Sequence, residues 1–273
     1  MTCHLAMSST FGVVLVSDSQ GSTNDAEYHG NQKQFAGEDF LIGAAGSGDI
    51  ADSLFSSLQK SNVKSSELQN YITEFAKNNW TTAAHESIHL TIAISPSTIV
   101  EYVPRLYRNF RERRQFSVIG SGAEFVVREV SFDQRAGLSP PAATTISDLL
   151  AMCLKYFSAS NESLTVDDQL MIGILHNNRS YLLIDPRIRP EYLPEKLQSV
   201  LPKIFHNFRE VVAIVSTLRS EILNIQRALT PLTYGLGKTA LSLPIGEITE
   251  SRSVLNKKIA DYFNWYDGIM ARQ

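Results

Sequence analysis

The chain has 273 residues, 43% of them apolar, with a formal net charge of -3 and a pI near 6.1. A chain of this length can bury one sizeable core and carry a smaller extension, since single domains reach about 200–250 residues. The slightly acidic balance argues against a dedicated nucleic-acid binder, which normally has a concentrated basic face. One local basic run is interpreted as a solvated hairpin or contact loop, and its members are Arg105, Arg108, Arg111, Arg113 and Arg114.

The cysteine content and the first residues bear on the compartment. Cys3 and Cys153 are the two cysteines of the sequence, too few for a disulfide framework or a thiolate zinc site. No Lys or Arg precedes the first apolar stretch, so a secretory signal is not expected, and no apolar run approaches the roughly 18 residues that cross a bilayer. We therefore expect a cytoplasmic protein with no membrane partner.

Hydrophobic patterning divides the sequence into blocks of strands and blocks of helices. Strands are predicted at residues 2–7, 13–16, 32–35, 39–44, 90–95, 99–103, 116–119, 170–175 and 181–184. Helices are predicted at residues 49–59 and 65–84, after Ser121, and at 145–156. Such blocks favour an α+β chain over an alternating parallel fold. Two stacked sheets between two helical layers, a four-layer αββα sandwich, would satisfy this order.

The sequence pattern changes after Asp185, from alternating blocks of strands and helices to a proline-rich linker followed by helices. Prolines punctuate a linker at positions 186, 190, 194 and 202, and residues 205–229 then read as a long amphipathic helix. A second helix is predicted from Ser251 to the end. We predict a main domain over residues 1–187 and a helical C-terminal extension over residues 188–273, whose apolar stripe indicates a role in assembly or in gating entry.

Five residues could combine into a hydrolytic site. Removal of Met1 would expose Thr2, whose hydroxyl is a nucleophile and whose α-amine, with a pKa of roughly 7.7–8.0, is a base. Asp18 ends a buried strand and needs a cationic partner, for which Lys33 is the nearest good candidate. Gly46 would donate a backbone N–H to the oxyanion, and Ser121 could hydrogen-bond the amine.

The sequence around these residues resembles that of the proteasome-type N-terminal-nucleophile (Ntn) hydrolases, especially the bacterial HslV-type and Anbu-type peptidases. The matching segments are Met1-Thr2, GVVLVSDS at residues 12–19, GNQK at 30–33, Ala45-Gly46, and IGSG at 119–122. The similarity covers about residues 2–185. The first segments are the specific part of the match, because a threonine after the initiator rarely coincides with a glycine, an apolar strand and Asp-Ser at a fixed distance. The Gly-Ser segments alone would be a weak signal.

The resemblance implies an Ntn-hydrolase fold and a threonine endopeptidase acting on unfolded polypeptide. Carried over by position, it gives Thr2 as nucleophile, Asp18 and Lys33 as charged supports, Gly46 as oxyanion donor and Ser121 as helper. It also implies a homo-oligomer, ring-like or helical, with an ATPase or other regulatory protein as a potential partner. No cofactor and no metal are expected.

The sequence departs from the family pattern in two places. In the HslV-type register the catalytic lysine would fall on Gln34, whereas the Anbu-type spacing accommodates Lys33. The late acidic and serine motif of the family is not clearly reproduced, and Asp167 or Asp168 could stand in for its acid.

Two other functions compete with this hypothesis. A relative that keeps the fold without activity would be a scaffold or assembly protein. His85-Glu86-Ser87-Ile88-His89 matches the H-E-x-x-H zinc pattern, which requires both histidines on one helix. Because a β-branched, strand-like sequence follows directly, we expect this segment to lie where a helix passes into a strand.

Overall fold

The computed structural model describes residues 3–22, 27–103, 110–113, 115–135, 143–162, 166–235 and 249–272. For residues 22, 28, 85, 134–135, 162, 222–235 and 249 it describes the backbone alone. Thr2, the predicted nucleophile, lies outside the described residues, as do Arg105, Arg108 and Arg114 of the basic run.

The described residues form twelve strands and eight α-helices. The strands are β1 Cys3–Ser9, β2 Gly12–Ser17, β3 Gly21–Ser22, β4 Glu27–Tyr28, β5 Gln34–Ala36, β6 Phe40–Gly46, β7 Ile88–Ile94, β8 Thr98–Tyr102, β9 Phe110–Arg113, β10 Phe116–Gly120, β11 Met171–His176 and β12 Arg179–Ile184. The helices are α1 Gly48–Gln59, α2 Leu68–Asn79, α3 Thr82–Glu86, α4 Ala123–Arg135, α5 Ile146–Phe157, α6 Glu195–Gln198, α7 Leu201–Gly235 and α8 Thr249–Met270. The α+β class predicted from the block pattern is confirmed.

Two antiparallel sheets, each of five described strands, form the centre of the molecule. One has the order β10-β1-β2-β11-β12 and the other β5-β6-β7-β8-β9. Every residue of β2 is buried. Its uninterrupted apolar sequence follows from its place between β1 and β11, since a central strand covered on both faces needs no polar side.

Strands of the two sheets contact each other, and helices pack on each sheet. Helix α5 lies over β1 and β2, while α1 contacts β6 of the other sheet. Buried apolar side chains form one cluster around the first sheet and a second between the other sheet and helices α1 and α2. Polar side chains also lie between the sheets: Ser117 Oγ donates to Glu101 Oε1 at 2.7 Å, and His4 Nε2 lies 2.8 Å from the carbonyl oxygen of Ala44.

The predicted single helix over residues 65–84 is wrong. The segment forms α2 and α3, separated by Trp80, whose backbone is extended (φ -109°, ψ 134°). Thr81 then begins a new helix, because its side chain accepts a hydrogen bond from the backbone N–H of Ala84. Periodicity alone missed this N-cap.

The C-terminal helices pack on the same apolar cluster as the first sheet. Helix α7 contacts β12 and α5, and α8 contacts α7 and α5. The buried side chains at these contacts are Ile204, Phe208, Val211, Val215, Leu218, Leu255, Ile259, Tyr262, Phe263 and Tyr266. The boundary at residues 187 and 188 stays a prediction. Among the described helices, none combines the length and hydrophobicity needed to cross a membrane.

Candidate functional site

Asp18 connects the start of β1 to a buried lysine. It directly follows β2 and is fully buried. Its Oδ1 accepts a hydrogen bond from the backbone N–H of Cys3 at 2.8 Å. Its Oδ2 accepts from Lys33 Nζ and from the backbone N–H of Gln20, each at 3.2 Å. The carboxylate therefore holds the lysine next to the first described residue of the chain.

The Asp18–Lys33 pair is almost removed from water. Lys33 is 8% exposed, and its ammonium also donates to the carbonyl oxygen of Gln20. Burial lowers the pKa of Lys33, while the charges of Asp18 and Asp167 oppose that shift. Burial likewise raises the pKa of Asp18, and the Lys33 charge opposes it. Each charge is thus costly here without the other.

The neighbouring Gln34 points to a different part of the molecule. Its Nε2 donates to Ser17 Oγ at 2.8 Å and to the carbonyl oxygen of Met171 at 2.7 Å. Successive side chains of an extended segment point to opposite faces, so residues 33 and 34 cannot both face Asp18. The structure pairs Asp18 with Lys33 and leaves Gln34 between the sheets.

Gly46 ends β6 in a conformation that requires glycine. Its φ is +111°, and a Cβ at this position would lie 1.9 Å from the carbonyl oxygen of Ser87. Gly46 and Lys33 both line a cavity of about 760 Å³. Other walls come from His29, Asp52, Arg189 and Tyr192. The predicted oxyanion donor and the predicted lysine thus share one concave surface.

Two hydrogen bonds, each donated by a backbone N–H, attach the segment after Asp185 to this wall. The N–H of Arg189 donates to the carbonyl oxygen of Gly30 at 2.9 Å, and the N–H of Tyr192 donates to Gln32 Oε1 at 2.9 Å. Arg189 and Tyr192, near the start of the predicted C-terminal extension, therefore form part of the cavity wall.

Ser121 directly follows the strand that pairs with the start of β1. In the register of β1 and β10, Cys3 lies opposite Gly120. Gly122 permits close approach here, because a Cβ on it would lie 2.9 Å from Cys3 Cβ. Burial and the nearby Asp18 charge raise the pKa of the Cys3 thiol to about 12, so this buried cysteine is not a thiolate at neutral pH.

Asp167, which the sequence did not separate from Asp168, lies beside the pair. Its Oδ1 accepts from the N–H of Ser19 at 2.9 Å, and its Oδ2 accepts from Ser19 Oγ at 2.7 Å. Its side chain is 8% exposed. Asp168, in contrast, is 73% exposed and pairs with Arg187 at 2.9 Å. The sequence does not distinguish the two residues, because adjacent aspartates differ only in which way their side chains point. The structure buries one side chain and exposes the other.

The H-E-x-x-H segment spans two elements. Helix α3 ends at Glu86, and His89 lies exposed in β7. The predicted passage from helix to strand is confirmed, and the two histidines do not share a helix. Within the described residues, no group of three or more His, Cys, Asp or Glu side chains could hold a metal ion.

Comparison with solved structures relates this geometry to known proteins. Anbu (ancestral beta-subunit) from Yersinia bercovieri superposes with a TM-score of 0.52 and 17% identity, covering 76% of this chain and 97% of its own. Thiobacillus denitrificans BPH, solved in complex with epoxomicin, gives a TM-score of 0.49 and 14% identity, covering 64% of this chain and 98% of its own. No protein-family model matches the sequence, and no curated protein sequence is recognisably similar to it. The likeness to Anbu confirms the resemblance drawn from the sequence at the level of the fold.

Proposed function

We propose that this chain, which has an Anbu-like fold, is an endopeptidase whose nucleophile is Thr2, exposed by removal of Met1. The stacked sheets and their covering helices correspond in this proposal to the four-layer αββα sandwich. One observation carries it: the Asp18 carboxylate that binds Lys33 also binds the backbone nitrogen of Cys3. That nitrogen is the one bonded to the carbonyl carbon of Thr2. One carboxylate therefore holds both a buried ammonium and the backbone nitrogen that follows Thr2 in the chain.

The proposed reaction needs few groups. Thr2 Oγ attacks the scissile carbonyl carbon, its proton passes to the α-amine, and Lys33 stabilises the developing alkoxide. The N–H of Gly46 hydrogen-bonds the oxyanion, and Ser121 helps to carry the proton. The carbon–nitrogen bond then breaks as the amine leaving group takes the proton, leaving an ester on Thr2. Water attacks that ester, releases the acid product and restores the hydroxyl.

The test combines intact-mass analysis with an electrophilic probe. Purified protein should have lost the mass of methionine, hydrolyse unfolded polypeptide, and gain the mass of one threonine-directed electrophile per chain. Thr2→Ala should lose both hydrolysis and labelling while its unfolding transition is unchanged. Retained Met1 together with no labelling would contradict the proposal and favour the non-catalytic scaffold.

A chelator separates the threonine mechanism from the zinc alternative. Hydrolysis should be unchanged in a strong chelator, because the proposed site uses no metal. His89→Ala is the matching variant, since that exposed side chain lies in β7 and outside the cavity lining. Loss of activity in either experiment would favour metal chemistry.

The proposed biological setting follows from the resemblance. We propose a cytoplasmic homo-oligomer, ring-like or helical, that encloses its active sites and takes unfolded polypeptide, with an ATPase or other regulator as a potential partner. The Yersinia protein is an ancestral beta-subunit, which supports an assembly. Native mass spectrometry should give a multiple of 30.4 kDa, and a monomer at cellular concentration would contradict this.

A further inference from the structure

His29 lies at the junction of the cavity and the buried acid Asp167. Its Nδ1 is 3.0 Å from Asp167 Oδ2, and its side chain is 50% exposed on the cavity wall. A lone histidine in a polar segment carries no periodic signal, so the sequence alone does not distinguish it.

The Asp167 carboxylate organises the segment that carries Asp18. It accepts hydrogen bonds from the N–H and Oγ of Ser19, the residue after Asp18, and from the N–H of Gln169 at 3.2 Å. His29 adds a basic side chain to these hydrogen-bond partners, and the charge of Asp167 also interacts with that of Lys33. A carboxylate so little exposed to water depends on its hydrogen-bond donors to hold its position.

The same contacts close a small ring. Ser19 Oγ, which donates to Asp167, accepts a hydrogen bond from the N–H of Gly30 at 2.8 Å. Gly30 directly follows His29 in the chain and has a φ of +79°. His29, Asp167, Ser19 and Gly30 therefore tie residues 29–30 to residues 18–19. Asp18 and Lys33 each lie within three residues of this ring along the sequence.

Asp167 also acts on the pair through its charge. That charge favours the ammonium form of Lys33, because it raises the pKa of the lysine against the effect of burial. Moving or neutralising the carboxylate would weaken the buried cation that the proposed reaction uses. The imidazole Nδ1 of His29 and Ser19 Oγ both hydrogen-bond Oδ2, and His29 holds this oxygen from the cavity wall.

We propose that His29 is a positioning residue for the proposed hydrolysis, holding Asp167 in the orientation that keeps Ser19, Asp18 and Lys33 in place. This inference rests on the proposed function. His29 acts through Asp167 and not by contact with the substrate, so its removal should slow the reacting step and leave substrate binding unchanged.

The experiment uses the full chain and separates kcat from KM. His29→Ala should lower kcat about tenfold, with KM within about twofold, because a hydrogen bond to a nearly buried carboxylate is lost. His29→Asn should recover most of kcat, since its amide N–H can take the place of Nδ1. His29→Gln should not, since its amide nitrogen corresponds to Nε2. The half-exposed position makes all three variants compatible with folding.

A second histidine–carboxylate pair supplies the control. His206 Nε2 lies 3.0 Å from Glu210 Oε2 on α7, and its side chain is 60% exposed, so His206→Ala removes a similar pair far along the sequence from the site. It should leave kcat unchanged. A His29→Ala variant that matches this control, or that changes KM alone, would overturn the inference, as would equal loss in the Asn and Gln variants. Wild-type protein that neither hydrolyses peptide nor reacts with the electrophile would overturn the proposed function and this inference together.

Discussion

At the scale of single residues, the buried Asp18–Lys33 pair can be tested for activity and stability at once. Lys33→Met keeps the side-chain length and removes the charge. We expect hydrolysis to fall by at least about 100-fold and the free energy of unfolding by about 3–5 kcal/mol, because Asp18 loses its cation. Urea unfolding and peptide hydrolysis measure the two effects.

Two further variants separate the two effects. The double variant Asp18→Asn/Lys33→Met should regain much of the stability but none of the activity, since it leaves no unpaired buried charge. Lys155→Met breaks the comparable pair with Asp133, in which Lys155 is 18% exposed and Asp133 is 5% exposed. That variant should lose stability and keep its activity. Activity surviving in Lys33→Met would argue against the lysine's role.

Gly46 and Gly48 form a matched pair at the junction of β6 and α1. Gly46→Ala should destabilise the chain by about 1–3 kcal/mol or more, because its positive φ and the Ser87 carbonyl oxygen exclude a Cβ. Gly48→Ala meets nothing within 4 Å and lies in α1, so it should be neutral or stabilise by up to about 1 kcal/mol. Thermal unfolding of both variants checks this, and equal effects would contradict it.

Sequence reasoning predicted the buried ion pair of the site better than the residues around it. A carboxylate after a buried strand needs a cation, so Asp18 called for a lysine, and the observed pair is the predicted one. The contacts of Asp167 and His29 depend on where the loops around residues 18–20, 29–31 and 167–169 meet. No local sequence pattern predicts these loop contacts, because they are set by packing between segments distant in sequence.

At the scale of elements, the best predictions were those with strong periodicity. Residues 145–156 and 205–229 were predicted as helices, and α5 and α7 contain nearly all of both segments. The short strands β3, β4 and β9 were not predicted as strands. Two to four residues carry too little periodicity to be distinguished from a loop, and their pairing depends on a neighbouring strand.

Helix α8 is held to α5 by an ion pair that gives an element-scale prediction. Arg252 donates to both carboxylate oxygens of Asp148 at 2.8 Å, and Asp148 is 3% exposed. Arg252→Ala should lower the free energy of unfolding by about 3–5 kcal/mol at pH 7. Lys257→Ala, elsewhere on α8, is the control and should change it by less than about 0.5 kcal/mol.

The effect of Arg252 should also depend on pH. Burial alone would raise the pKa of Asp148, but hydrogen bonds from Arg252 and Thr144 outweigh burial and lower it. The stabilisation is therefore full above the unfolded value of about 3.9 and is lost as pH falls through the lower folded value. Urea unfolding should show wild type and variant converging only in strong acid. A constant difference down to pH 2 would contradict the assignment.

At the scale of the whole molecule, the extension and the sheets should unfold together. Ile259 on α8 is 2% exposed and belongs to the apolar cluster of the first sheet, whereas Val254 on the same helix is 50% exposed. Ile259→Ala should lower the free energy of unfolding by about 2–5 kcal/mol in a single transition, and Val254→Ala by less than about 0.5 kcal/mol. Calorimetry showing two separate transitions would instead favour an independent extension.

The histidine between the two sheets makes the fold sensitive to mild acid. Burial, with the Lys33 charge adding to it, lowers the pKa of His4 from 6.5 to about 3. Between these two pH values His4 stays neutral in the native protein and binds a proton in the unfolded chain. Between those two values each unit of acidification shifts the folding equilibrium towards the unfolded chain by up to about tenfold. A His4→Gln chain, which takes up no such proton, should show a flatter dependence of its urea midpoint on pH. The native protein should therefore begin to lose stability in mild acid, while its surface carboxylates are still ionised.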